Sequence, residues 1–163
     1  MTAVLGAVLV ISAFGSAGFL LAAQKRSVAL YTEGYTLLIK HICTRLPALT
    51  PMDEIIAEFE NPALANAGVL QILKGENSIE PCNKRLTAAI ELQKDDSALY
   101  GILCSVAKEL GSTDYERQQK SLEDAYRKLS ELCHKRKSEL ENGEKCYKWL
   151  GVLAGVMAVI LLL

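Results

Sequence analysis

Hydrophobic and charged residues are segregated along this chain, because both ends are apolar and the middle is not. Residues 1–24 and residues 149–163 contain no Asp, Glu, Lys or Arg, so residues 25–148 hold all 18 basic and all 19 acidic side chains. An apolar helix of about 20 residues is long enough to cross a bilayer. The pattern predicts a transmembrane helix at 1–24, a polar domain at 25–148 and a second transmembrane helix at 149–163.

Each end segment leaves an alternative open. A cleaved signal peptide is the alternative for the first, since Leu21-Ala22-Ala23 would be a tolerable cleavage site. An uncleaved anchor is favoured, because no basic residue precedes the apolar stretch, which exceeds the usual length of about 7–15 residues. The second segment would extend about 22 Å as a helix, against a hydrocarbon core of about 30 Å. It is predicted to be a short or tilted span, and a helix that ends inside the outer leaflet is the alternative.

Basic residues lie at the inner end of each apolar segment. Lys25 and Arg26 follow the first, and Lys145 and Lys148 precede the second. Lys and Arg are enriched on the cytoplasmic side of membrane segments. The central domain is therefore predicted to be cytoplasmic, with both termini across the membrane.

Two long helices are predicted next to these segments. The first runs from the N-terminal segment to Pro47, with Gly34 as a weak point, and the second begins after Gly111. Each has an apolar face with steps of three and four residues, which in the second helix is typical of a coiled coil over about four heptads. The predicted faces are Val28, Tyr31, Tyr35, Leu38, Ile42 and Leu46 in the first helix, and Leu122, Tyr126, Leu129, Cys133, Arg136, Leu140, Gly143 and Tyr147 in the second.

Four short helices are predicted between the long ones. Their starts carry capping residues, and glycines mark two of their ends. The predicted starts are Thr50-Pro51, Asn61-Pro62, Ser78 and Asp95-Asp96-Ser97, and the second short helix is expected to continue through Leu73 to Gly75. No strand pattern is present. The predicted fold is all-α, a helical bundle built on a long antiparallel helical hairpin and anchored by the N-terminal and C-terminal transmembrane helices.

Residues for catalysis are scarce. The sequence has no Ser/His/Asp arrangement, Gly-rich phosphate loop, HExxH or CxxC motif. His41 with Cys43 and Cys133 with His134 would give four zinc ligands if they met across the hairpin, but both cysteines occupy apolar seam positions. A net charge of −1 gives no reason to expect nucleic acid. We predict a protein that is not an enzyme, with no cofactor, metal, nucleic acid or small-molecule substrate.

The apolar ends contain small residues at helix-packing spacing. Gly151 and Gly155 form a GxxxG motif, and Gly18 lies four residues before Ala22. Such spacing lets helix backbones approach closely in lipid. The segments either pack on each other within one chain or on neighbouring subunits, so self-association is an open prediction. Neither segment has a charge or a polar stripe, which argues against a pore or a proton path.

Two motifs resemble the stage III sporulation protein AB family of endospore-forming bacteria. The first is Leu110, Gly111, Ser112, Thr113 and Asp114 with Gln118 following, and the second is the run 147–155, YKWLGVLAG, that leads into 160–163. The layout of two anchors and a helical middle is also similar. The family usually has Ala-Trp where this chain has Cys82-Asn83, which puts in doubt an aromatic contact at that place.

This resemblance implies a structural role. Such proteins are similar to the inner-membrane platform protein of type II secretion and type IV pilus systems. The implied function is a non-enzymatic platform of the secretion or feeding channel between mother cell and forespore, located in the mother-cell membrane. The implied partners are a cytoplasmic motor ATPase, other membrane components of the channel and the lipid bilayer. The alternatives are a metal protein or enzyme, a membrane-tethered helical adaptor of unrelated function, and a small channel-type membrane protein.

Overall fold

The computed structural model describes residues 2–48, 50–75, 80–110 and 115–162, and most of them are helical. These residues form seven α-helices and a 3-10 turn at Leu46–Ala48, with no strand, and the predicted all-α class is confirmed. The helices are α1 (Thr2–Arg45), α2 (Met52–Glu58), α3 (Pro62–Asn66), α4 (Val69–Lys74), α5 (Cys82–Glu91), α6 (Ser97–Glu109) and α7 (Tyr115–Leu162).

The two predicted long helices are present as α1 and α7. The first ends at Arg45, where Pro47 removes a backbone donor, and the second is unbroken from Tyr115. The chain divides into two compact units: unit 1 comprises Met1–Ala29 and Lys135–Leu163, and unit 2 comprises Leu30–His134. The chain therefore passes from unit 1 into unit 2 along α1 and returns along α7. The antiparallel arrangement of α1 and α7 stays a prediction.

The predicted transmembrane helices lack support in the described residues. Among these, no helix is both long and apolar enough to cross a membrane. The backbone of 2–24 and 149–162 is helical, within α1 and α7. Most side chains before residue 19 and several beyond residue 150 lie outside what the structure describes. The two anchors consequently stay predictions.

The hydrophobic core of unit 2 combines both long helices with the short ones. Tyr35, Leu38, Ile39 and Ile42 of α1 are almost completely buried, and they belong to one cluster with side chains of α2 to α7. Burial of a side chain of this size stabilises the fold by about 1.5–3 kcal/mol. The predicted seam of α7 is buried at Leu122, Leu129 and Cys133.

Gly34 lies at a close contact between α1 and α3. A Cβ at this position would lie 2.8 Å from Cγ of Leu64 and 3.0 Å from Oδ1 of Asn61, and both distances are shorter than a Cβ normally keeps from a neighbouring heavy atom. Only glycine therefore permits α1 to pack this closely against α3. The prediction that Gly34 weakens its helix stays a prediction, because helix propensity and the contact with the neighbouring helix are separate properties.

The helix predicted from Asn61 to Leu73 is two helices. Asn61 caps α3 by accepting a hydrogen bond from the backbone N–H of Leu64 at 3.0 Å, as its position predicts. The helix then stops, because Gly68 adopts a left-handed conformation with φ of 74°. A second helix, α4, follows and ends at Gly75, which has φ of 37°.

The other predicted helix starts differ in accuracy. Asp96 caps α6 by accepting from the N–H of Leu99 at 3.2 Å, as predicted. At α2 the prediction was wrong by one residue: Pro51 occupies the cap position and no side chain caps the helix. Ser78 lies outside the described residues, and α5 begins at Cys82 after Pro81.

Candidate interaction sites

Arg85 is a buried charge that joins three short helices of unit 2. It lies on α5, and only 8% of its surface is exposed. Its guanidinium donates to the backbone carbonyls of Leu73 and Lys74 at 3.0 and 3.3 Å, which satisfies the C-terminal end of α4. It also forms an ion pair with Asp53 of α2. A planar guanidinium with five N–H donors suits this arrangement, because it can reach several acceptors at once.

Sequence reasoning missed Arg85, although a signal was present. Buried apolar residues of α5 occur at Leu86, Ala89 and Ile90. Arg85 precedes Ala89 by four residues, which places it on the same helix face. A charged residue on a buried face needs partners, and the short helices α2 and α4 provide them.

Two described residues of the first family motif, Leu110 and Gln118, line a groove of unit 2. The Gln118 side chain is 9% exposed at the start of α7. The groove has a volume of about 370 Å³ and, together with Gln118, is lined by Leu46, Met52, Pro81, Cys82, Asn83 and Leu110; we call it the Gln118 groove. It contains the Cys82-Asn83 pair at which this chain departs from the family pattern.

The other predicted motif positions are beyond structural test. Gly111, Ser112, Thr113 and Asp114 lie outside the described residues. Gly18, Gly151 and Gly155 are helical, in α1 and α7, but their surroundings are not described. The proposed close packing at these glycines stays a prediction.

A second groove of unit 2 lies between α3 and α4. Its volume is about 760 Å³, and Leu70 supplies a buried apolar floor. Exposed Glu60 and half-buried Lys74 bring opposite charges to its lining. We call it the α3–α4 groove; Asn61, Pro62, Ala65 and Gln71 complete its lining.

Two acidic residues near the ends of α6 are engaged within the chain. The side chain of Asp96 caps α6, and Glu109 pairs with Arg117 at 3.2 Å, which joins the end of α6 to the start of α7. Asp95 is exposed. Two of these three carboxylates therefore have structural roles in unit 2.

The residues considered for zinc do not form a site in the described part of the chain. No group of three or more His, Cys, Asp or Glu side chains converges there. His41 packs against the ring of Phe59, with ring centres 5.6 Å apart. Burial raises the pKa of the Cys43 and Cys82 thiols, with Glu123 adding to the effect at Cys43. Raised thiol pKa values disfavour the nucleophilic thiolate.

Unit 1 combines exposed apolar side chains with excess positive charge. Trp149, Ile160 and Phe19 are 69%, 67% and 61% exposed. Seven basic and three acidic residues fall in unit 1, which gives a net charge of +4. The whole chain has a net charge of −1, so unit 2 carries −5. Exposed apolar clusters of this kind mark contacts with lipid or with another protein.

One comparison with known proteins gives a match. Residues 69–163, which are more than half of the chain, match the family described as stage III sporulation protein AB. No curated protein and no solved structure matches the chain. The matched range includes Arg85, Gln118 and the whole of α7.

Proposed function

The chain belongs to the stage III sporulation protein AB family, so it has a sporulation-related role, and we propose that it is a non-enzymatic membrane platform of the channel between mother cell and forespore. It is held in the mother-cell membrane by its apolar ends. Its central domain lies in the cytoplasm and docks a motor ATPase.

The separation of charge and apolar surface is the observation that supports attachment to the membrane. Unit 1 carries +4 and exposes Phe19, Trp149 and Ile160, whereas unit 2 carries −5 and buries most of its large apolar side chains in one core. Basic residues close to apolar segments favour the cytoplasmic face of a membrane, which bears negative charge. Unit 1 is thus suited to the bilayer and unit 2 to water.

The α3–α4 groove is the surface that we assign to the ATPase. It is open, has an apolar floor at Leu70, and offers Glu60 and Lys74 for polar contacts. Interfaces commonly combine a buried apolar centre with a polar rim.

Substitution of an exposed alanine tests this assignment. Ala65→Arg places a long charged side chain in the groove, and Ala88→Arg makes the same change on an exposed face of α5. In co-purification from sporulating cells, we expect A65R to lose the ATPase and A88R to retain it. Equal retention by both variants would contradict the assigned surface. Normal sporulation after deletion of the whole chain would contradict the platform role.

A further inference from the structure

Unit 1 contains a groove between α1 and α7 next to the apolar ends. Its volume is about 350 Å³. Leu21 and Val28 of α1 and Leu140 of α7 contribute apolar side chains, Lys25 and Arg136 contribute one cation from each helix, and Glu139 contributes a carboxylate. We call it the basic groove. Its cations and apolar side chains therefore share one small cavity.

Acidic residues lie close in sequence to the groove cation of α7 but not to that of α1. The first acidic residue of the chain is Glu33, eight positions after Lys25. On α7, Lys135, Arg136 and Lys137 form a basic run, and Glu139 and Glu141 follow it. Glu139 offsets part of the charge of the groove itself. The lining retains a net positive charge, because it has two cations and one carboxylate.

We propose that the basic groove binds one anionic phospholipid, with its phosphate between Lys25 and Arg136 and an acyl chain along Leu21, Val28 and Leu140. Basic pockets between helices at the cytoplasmic side of a membrane bind lipid head groups through such charges. Leu21 is exposed and belongs to the charge-free segment 1–24, so the groove has an apolar side chain that an acyl chain can contact. A water-soluble anion would use the cations but not the apolar side chains.

This inference rests on the proposed attachment to the membrane, and one experiment separates the two. Trp149 is the single tryptophan of the chain, and it is exposed in unit 1. Full-length protein in mixed micelles is titrated with brominated phosphatidylglycerol or with brominated phosphatidylcholine. Bromine quenches tryptophan fluorescence on contact, so the ratio of the two half-quenching concentrations measures the head-group preference of the lipid that reaches Trp149, nine residues after Leu140 of the groove.

The basic groove predicts about a tenfold preference for phosphatidylglycerol, since each cation near the membrane surface favours an anionic lipid severalfold. Lys25→Gln with Arg136→Gln reduces the preference to about twofold or less. The control double variant, Lys84→Gln with Lys120→Gln, removes the same charge from exposed positions of unit 2 and keeps the wild-type preference.

A second pair of variants tests the groove without removing a cation. Glu139→Gln strengthens the preference, whereas Glu131→Gln, two turns earlier on an exposed face of α7, leaves it unchanged. Equal quenching by both lipids in the wild type would overturn the lipid site and leave membrane attachment standing. Quenching by neither lipid would overturn both. An equal loss in the two double variants would reduce the effect to net charge and would also overturn the site.

Discussion

The guanidinium of Arg85 is paired with the carboxylate of Asp53 while it also binds the last carbonyls of α4. One side chain of α5 thus fixes the ends of two other short helices. Helices of six and seven residues have little stability of their own. The region between the two long helices therefore depends on tertiary contacts of this kind.

Loss of Arg85 should destabilise unit 2. Arg85→Met leaves the carbonyls of Leu73 and Lys74 without their donor, and we expect a loss of about 1–3 kcal/mol in the free energy of unfolding. Arg45→Met is the matched control, because the Arg45–Glu58 pair joins two half-exposed side chains at 3.0 Å. That change should cost less than about 1 kcal/mol. Urea denaturation followed by circular dichroism measures both, and equal losses would contradict the special role of Arg85.

Two glycine-to-alanine substitutions should have opposite effects. Gly34→Ala introduces a Cβ at 2.8 Å from Leu64, and we expect a loss of about 1–3 kcal/mol despite the better helix propensity of alanine. At Gly101, on α6, an added Cβ has no atom within 4 Å, so Gly101→Ala should gain about 0.5–1 kcal/mol. Thermal unfolding measures the signs. A stabilising G34A would contradict the close contact of α1 with α3.

Tyr35 should make unit 2 sensitive to alkaline pH. Burial raises the pKa of its phenol, which donates to the backbone carbonyl of Ala89 at 3.3 Å. Up to about pH 10 both states keep the proton; above it, the unfolded phenol ionises before the folded one, and stability falls by up to about 1.4 kcal/mol per pH unit. Tyr35→Phe should remove this contribution. Unfolding curves between pH 9 and 12 that stay parallel in the two proteins would contradict the assignment.

The Gln118 groove should accept an aromatic ring. Asn83→Trp places an indole beside Leu46, Met52 and Leu110, and burial of part of the ring should raise stability by about 1 kcal/mol. Thr87→Trp, one turn later on α5 at an exposed position, is the control and should give no gain. Differential scanning calorimetry compares the two. Equal melting temperatures would show that the groove does not hold the ring.

Periodicity and capping predicted the long elements of this fold, because those signals are local. The face of α1 through Tyr35, Leu38 and Ile42 is buried as expected, and Asp96 caps α6. The break at Gly68 was missed, although a glycine after Asn66-Ala67 is a common signal for the end of a helix.

Contacts between distant segments were not predictable from the same signals. The closeness of Gly34 to Leu64 and the reach of Arg85 to Asp53 depend on how helices pack, and periodicity along one helix does not contain that information. The three grooves also depend on how helices pack. Each combines residues from at least two helices, so none of them was predicted as a site.

Side-specific labelling tests the membrane platform most directly. Cysteines introduced by Glu54→Cys and Ser130→Cys lie at exposed positions of unit 2, on α2 and α7. Spheroplasts that express each variant are treated with a membrane-impermeant maleimide before or after permeabilisation, with the wild type as background. The proposed function predicts protein in the membrane pellet that is labelled only after permeabilisation. Labelling in intact spheroplasts, or recovery of the protein in the supernatant, would contradict it.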